Sequence, residues 1–434
     1  MGLQNYGFAP SQTADTVTID ANKSSRDLPE NSLLGISKLA RLAFEGKDLG
    51  VVLERLKDRI ALDPGDADAL LDISTLLLIA GQNELAIHYK KLAVKLRRHF
   101  RCRFGTGMEL RVLAFVTIGD FMANTPIEFL LEHTNIELIL YFVDAKSDSL
   151  EDVPAHDVAF VAIGQSPEND VVLRNLTLLL KDWEGPILNN APDRIEALSR
   201  DRLASALSRG PGILSPSTLK VGRKALEDVS AGLKLATDIH AQLVFPVIVR
   251  PVGTHAGIGM VRVESYRDLS AYLSLYGDQE FYLCPYIDYQ NADGLFRKQR
   301  IAFVNGKAFA CHLAISDHWM VHYMSARMEE KEERRFEEAK WMLDFEGFAE
   351  RHHSAFAALR RIIDLDYFVI DCAETHDGLL LVFEADVAMI VHSMDSEIFF
   401  PYKKIAMKKM TAGFANALHT CARSFDEIRS FGSP

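Results

Sequence analysis

The stretch FPVIVRPVGTHAGIGM, residues 245–260, decides how the C-terminal half is read. Its first part is apolar and β-branched, as strands are, and it carries one cation, Arg250. Its second part sets Gly253, Gly257 and Gly259 around Thr254, His255 and Ala256. Residues without a Cβ let backbone N–H groups approach phosphate oxygens, and a cation on the strand just before them can neutralise phosphate charge. A glycine-containing hairpin alone is more often a plain turn; the preceding Arg250 favours a phosphate loop. VRV at 261–263 then resumes a strand.

Beyond this loop the pattern repeats. FYLCPYIDY (281–289) and RIAFVNGKAFACHLAI (300–315) read as strands, the second turning at Asn305-Gly306, a strong hairpin dipeptide. DYFVIDCAE (366–374) and GLLLVFEADVAM (378–389) form another pair around His376-Asp377-Gly378. The intervening helix MEEKEERRFEEAKWMLDF is expected to turn its charges to water. Strands grouped around hairpins, with helices between, indicate an α+β region from 211 to 434.

The preceding region reads differently. LRVLAFV, ELILYFV and DVAFVAI alternate with the helical TPIEFLLEH and DVVLRNLTLLLKDW, which argues for a small parallel α/β domain over 108–210. No GxGxxG follows its first strand, so a dinucleotide fingerprint is lacking. HFRCRFGTG (99–107) looks like a linker. Residues 31–100 are helical by apolar spacing, and residues 1–30 are polar and aperiodic, read as a flexible arm.

With 48 Lys and Arg against 60 Asp and Glu, the net charge is -12, which speaks against nucleic-acid or anionic-membrane binding. The five cysteines are scattered with no CxxC, so neither a disulfide framework nor a zinc site is expected. No signal-peptide pattern or membrane-spanning run is evident, and the cytoplasm is the expected compartment.

Chemistry concentrates in two further places. Glu384 and Asp386 differ by two positions and share one side of a strand, and Asp371 can join them if its strand pairs with theirs. Three carboxylates in apolar surroundings need a cation, and Mg2+ suits a few carboxylates with phosphates and water. The plain alternative is two exposed acids and a capping aspartate. Arg297, Lys298 and Arg300 precede Asn305-Gly306, and Arg300, which opens the apolar run Ile301-Ala302-Phe303, is the best candidate for a phosphate or carboxylate. His312, His318, Trp319 and His322 form a polar-aromatic cluster whose spacing does not suit tetrahedral zinc; as a group they read as a substrate pocket.

From about Leu110 to about Asp395 the order of these motifs resembles the ATP-grasp superfamily, closest to glutathione synthetases and ribosomal-protein glutamate ligases. FPVIVRPVGTHAGIGM resembles its phosphate-binding strand and loop. FYLCPYI resembles its hinge strand, carrying Tyr286. RKQRIAFVNGK resembles its triphosphate-side strand and IDCAETHDGLLLVFEAD its metal-binding pair. The resemblance implies an ATP-grasp fold preceded by the parallel α/β domain. It implies ATP and Mg2+ as cofactors, Arg250 and Arg202 in the places of nucleotide-binding lysines, Arg300 on the transferred phosphate, and Asp371 and Glu384 as magnesium ligands. Asp386 stands where the family usually has asparagine, and Cys284-Pro285 where a ribose-binding carboxylate is common. The implied activity is carboxylate–amine ligation through an acyl phosphate, with small-molecule or peptide substrates and a lid near Thr254-His255-Ala256. A non-catalytic ATP-binding scaffold and an ATP-grasp phosphotransferase are the alternatives.

Residues 62–96 resemble a tetratricopeptide repeat, in Leu71, Ala80-Gly81 and Leu85-Ala86. One good repeat is too few for a solenoid. The helices are expected to be a cap packed on the rest, a docking module for a peptide or protein partner, or a homodimer surface.

Overall fold

The computed structural model describes residues 32–255, 257–323 and 325–431; the expected N-terminal arm lies outside the described residues. The chain forms two compact units. One runs up to Ile163 and adds Asn175–Asn190 and Ala388 onward; the other comprises Gly164–Arg174 and Ala191–Val387.

Among the described residues the first unit opens with four helices: α1 (Ile36–Phe44), α2 (Leu49–Leu62), α3 (Ala67–Ile79) and α4 (Asn83–Leu96). Aspartates start two of them, Asp48 accepting from Gly50 N (2.8 Å) and Asp66 from Ala69 N (2.9 Å). Gly81, at φ 77°, lets the chain turn between α3 and α4. Their apolar faces do not make a separate core. Leu39, Ile73 and Leu76 pack in one cluster with Phe121, Phe129, Ile390 and Met394.

The strands of this unit are β1 (His99–Arg103), β2 (Leu110–Val116), β3 (Ile136–Phe142), β4 (Val158–Val161) and β5 (Ile187–Leu188), in the order β1-β3-β2-β4-β5. β2 to β5 pair in parallel, as the alternation of strand and helix predicts. β1 corrects the linker reading of residues 99–103, since it lies antiparallel on β3. Its sequence alternates, with Phe100 and Cys102 buried and Arg101 and Arg103 meeting Glu137 (3.0 and 3.1 Å). The helix Pro401–Phe431 returns to this sheet, where Phe414 meets Phe160 edge-on at 5.5 Å. The C-terminal residues thus belong to the first unit, whereas the sequence pattern groups them with 211–387.

The second unit holds two sheets. Its strands are β6 (Ile213–Leu214), β7 (Leu219–Gly222), β8 (Val247–Pro251), β9 (Val261–Val263), β10 (Glu280–Pro285), β11 (Phe296–Val304), β12 (Lys307–Ser316), β13 (Tyr367–Glu374) and β14 (Leu380–Asp386). One sheet runs β7-β10-β8-β9 and the other β12-β11-β13-β14-β6; among the described residues only β14 and β6 of these strands pair in parallel. The two-residue turn at Asn305 (φ 45°) and Gly306 (φ 75°) joins β11 to β12, as the dipeptide predicts. The four-stranded sheet is held by Val249, Phe281, Leu226 and Leu269. The charged helix Glu332–Leu343 departs from its expected solvation at Glu338, which is fully buried and accepts from Leu313 N and Tyr323 Oη, each at 3.0 Å. All five cysteines are free thiols, and among the described residues no helix is long and apolar enough to cross a membrane.

Candidate functional site

Antiparallel register decides which side chains meet. Arg300 on β11 lies opposite His312 on β12 and Asp371 on β13, and Asp371 lies opposite Glu384 on β14. Directly paired residues share a face, so four strands carry one polar row: His312, Arg300, Asp371, Glu384. Two β-bulges flank it, at Arg300/Ile301 and at Asp371/Cys372. Bulges re-aim side chains and commonly sit beside functional sites.

The row is an ion-pair network. Asp371, with a side chain 1% exposed, accepts from Arg300 Nε (2.8 Å) and Nη2 (3.0 Å) and from Lys298 Nζ (2.8 Å). Burial works against this carboxylate, but Arg300 and then Lys298 outweigh it and hold its pKa well below the usual range. Glu384 pairs with Arg200. Burial again opposes its charge, Arg200 wins, and the carboxyl is lowered to about 2. Both acids are therefore anions at neutral pH. Among the described residues no group of three or more His, Cys, Asp or Glu is arranged to hold a metal. Asp386 takes its own course, accepting at Oδ1 from Val387 N (2.6 Å) and Gln165 N (3.3 Å).

The second sheet supplies the loop. Arg250 on β8 is buried, and its Nη2 donates to Thr254 O and to Thr254 Oγ1 (3.2 Å). Its Nε is buried with no hydrogen-bond partner. Burial, then the neighbouring Arg200, pulls this guanidinium down to about 9. A buried cation with a spare donor, crowded by a second cation, is an anion site in waiting. Gly253, Gly257 and Gly259 all have φ near 70°, from 68 to 77°. A Cβ on Gly257 would stand 2.6 Å from His322 Nε2, and one on Gly259 2.7 Å from Pro251 Cδ, so close packing as well as conformation requires glycine there. Tyr272 Oη fixes the loop by donating to Gly259 O (2.9 Å). Ala256 lies outside the described residues.

His322 ties loop to row. Burial and then Lys298 lower its pKa to about 4, so it is a neutral imidazole at pH 7. His312 stacks obliquely on Tyr323 at 4.8 Å. Tyr286 sits under the Arg262 guanidinium (4.0 Å) and meets Trp319 edge-on at 5.9 Å. Cys284, on β10, is half-buried, and burial pushes its thiol up to about 11.

Three expected site residues point elsewhere. Arg297 alternates away from Lys298 and Arg300 and is engaged by Glu337 (2.5 Å) and Asp293 (2.7 Å). Arg202 meets Glu196 at 3.0 Å, half exposed, while Arg200 reaches Glu384. His318 is exposed, its Nδ1 accepting from Met320 N at 3.2 Å. Arg200 is the residue the sequence reading missed. Two positions apart on a helix are about 200° apart, so only one of Arg200 and Arg202 can face the site, and SRDRLASAL does not say which.

No family model matches the sequence, and no curated protein matches it. Solved structures are similar to it. A D-alanine–D-alanine ligase from Bacillus anthracis, complexed with ATP, is 15% identical and has a TM-score of 0.45 over 73% of this chain and 99% of its own. The VanG D-Ala:D-Ser ligase from Enterococcus faecalis is 11% identical, with a TM-score of 0.44 over 72% of this chain and all (100%) of its own. A RimK domain ATP-grasp protein from Sphaerobacter thermophilus is 14% identical, with a TM-score of 0.39 over 71% and 99%.

Proposed function

We propose that the chain is an ATP-dependent carboxylate–amine ligase of ATP-grasp type, with its nucleotide site in the second unit. The observation that carries this reading is the placement of four cations, Arg200, Arg250, Lys298 and Arg300, around two ionised carboxylates and a glycine loop. The two carboxylates offset two of the four positive charges, and the remaining positive excess favours a phosphate chain while the carboxylates could serve a metal.

Asp371 and Glu384 fit magnesium by donor chemistry: both are anionic oxygen ligands, side by side in register. Two carboxylates suffice where phosphates and water complete the coordination. When bound there, magnesium would draw charge off the phosphates. Arg250 would take a phosphate oxygen through its spare Nε. Arg300 and Lys298 would stabilise the transferring group. A substrate carboxylate oxygen would form a bond to the γ-phosphorus as the bond to ADP breaks. An amine would then form the C–N bond at the acyl carbon, phosphate leaving and the amine losing a proton. The glycine loop, closed over His322, would keep water from the acyl phosphate.

The test is ADP release across panels of carboxylates and amines, with hydroxylamine as a trap for acyl phosphates. A hydroxamate formed only with ATP and one class of carboxylate supports the ligase. ADP without any trapped acyl product would indicate a phosphotransferase, and no ADP under any condition would contradict the proposal.

A further inference from the structure

Asp371 and Glu384 are each bonded to cations of the chain, and the two arrangements differ in kind. Asp371 is held at both oxygens: Arg300 donates to Oδ1 (2.8 Å) and Oδ2 (3.0 Å), and Lys298 to Oδ2 (2.8 Å). Both cations stand on β11, which pairs with the strand of Asp371, and the aspartate side chain is 1% exposed. Glu384 is held at Oε2 by Arg200. Arg200 comes from outside the sheet, as the first residue of the helix Arg200–Leu207. The side chains of this pair are 20% and 30% exposed. An ion pair within reach of solvent is far easier to open than a buried one, because water takes over the parted charges.

Arg200 also stands beside the glycine loop's own cation. Of the charged groups around Arg250, Arg200 acts on it most strongly, unfavourably, and Glu384 next, favourably. Two guanidinium groups against one carboxylate leave a positive charge in excess there, and Arg250 Nε is buried with no hydrogen-bond partner. An anion that reaches Arg250 therefore enters the field of Arg200 as well. The guanidinium fork fits phosphate as readily as carboxylate. A divalent cation on Glu384, by contrast, meets Arg200 as a like charge on the same carboxylate.

Taking the nucleotide site proposed above as its basis, we propose that Arg200 changes partners: it holds Glu384 until a nucleotide phosphate draws it off, and Glu384 then opens to a divalent cation. The metal follows the nucleotide onto the chain, and a free divalent cation alone finds Glu384 closed. Arg200 thus serves phosphate binding and sets the order in which the two ligands load.

The experiment reads binding, not turnover, on the full chain. Mn2+ without nucleotide is followed by electron paramagnetic resonance of the free ion, and ATP is titrated calorimetrically in excess chelator. Arg200→Gln, Arg200→Lys and the double variant Arg200→Gln/Glu384→Gln are run beside the wild type, with circular dichroism to check folding. Arg200→Gln should bind Mn2+ about tenfold or more tighter than the wild type, and ATP about tenfold or more weaker. Adding Glu384→Gln should cancel the gain for Mn2+, and Arg200→Lys should stay near the wild type for both ligands. A side chain that only supported the fold would weaken both together. Mn2+ affinity unchanged or lowered in Arg200→Gln, or ATP affinity unchanged, overturns the exchange. If that variant does not fold, the wild type decides: ATP bound in chelator with Mn2+ alone unbound supports the order, and Mn2+ bound alone overturns it. A wild type that binds no ATP even with Mn2+ removes the nucleotide site itself, and the exchange falls with it.

Discussion

Replacing Arg300 by methionine removes the bidentate partner of a carboxylate that is 1% exposed. Truncating one member of a buried ion pair typically costs about 3–5 kcal/mol, because the other charge stays buried and uncompensated. Lys298 remains on Asp371 Oδ2 at 2.8 Å, so the lower end of that range applies. At about 2–4 °C per kcal/mol for a unit of this size, the melting temperature should fall by roughly 6–12 °C for a 3 kcal/mol loss. The second half of the prediction is specific to the pairing. Asp371→Asn in the Arg300→Met background removes the stranded charge and should recover at least about 1 kcal/mol, a coupling that a double-mutant cycle measures directly. Urea unfolding of the wild type, both single variants and the double variant, without nucleotide, supplies the four values. An Arg300→Met protein within about 0.5 kcal/mol of wild type, or a double variant no more stable than Arg300→Met, would refute the electrostatic account of the row.

Three other outcomes follow from the same structure. Glu384→Gln should abolish ADP release with a wild-type circular dichroism spectrum, whereas full turnover would defeat the metal assignment. Gly257→Ala meets both φ 71° and a Cβ 2.6 Å from His322 Nε2, so it should cost about 1 kcal/mol or more and weaken nucleotide binding, and an unchanged melt would mean the loop is looser than it looks. Asp72 carries a carboxyl raised to about 7 by burial, with Glu128 adding to the shift and Arg59 opposing it. The folded chain then holds a proton that the unfolded chain has lost between about pH 4 and pH 7. Stability should fall as pH rises through that window, by up to about 1.4 kcal/mol per pH unit from this group. Asp72→Asn should flatten that part of the urea-derived stability profile, and identical slopes would show that Asp72 is not the titrating group.

Much of this was legible because β-structure writes its register into the sequence. Asn305-Gly306 and His376-Asp377-Gly378 locate two hairpin turns, and the two-residue alternation then puts Lys298 with Arg300 and Glu384 with Asp386. The bulges were not legible: the shift at Arg300/Ile301 sets His312 opposite Arg300, the shift at Asp371/Cys372 sets Glu384 opposite Asp371, and both depend on the partner strand. Helical phase was equally silent on Arg200 against Arg202. The strand His99–Arg103 could have been found from its alternation, but five residues next to a glycine-rich segment read as a connection. The return of the C-terminal helix to Phe160 is a long-range contact that no local pattern announces.

The central claim is a magnesium–nucleotide site built on Asp371 and Glu384. Its most direct test is the melting temperature of the purified chain without ligand, with ATP, and with ATP and magnesium, beside Asp371→Asn and Glu384→Gln. A ligand at a hundred times its dissociation constant stabilises by about 2.7 kcal/mol, which shifts the melt by several degrees. The account predicts a shift that needs magnesium and shrinks in both variants. A wild-type melt unmoved by ATP with magnesium, or a shift that both variants retain in full, would contradict it.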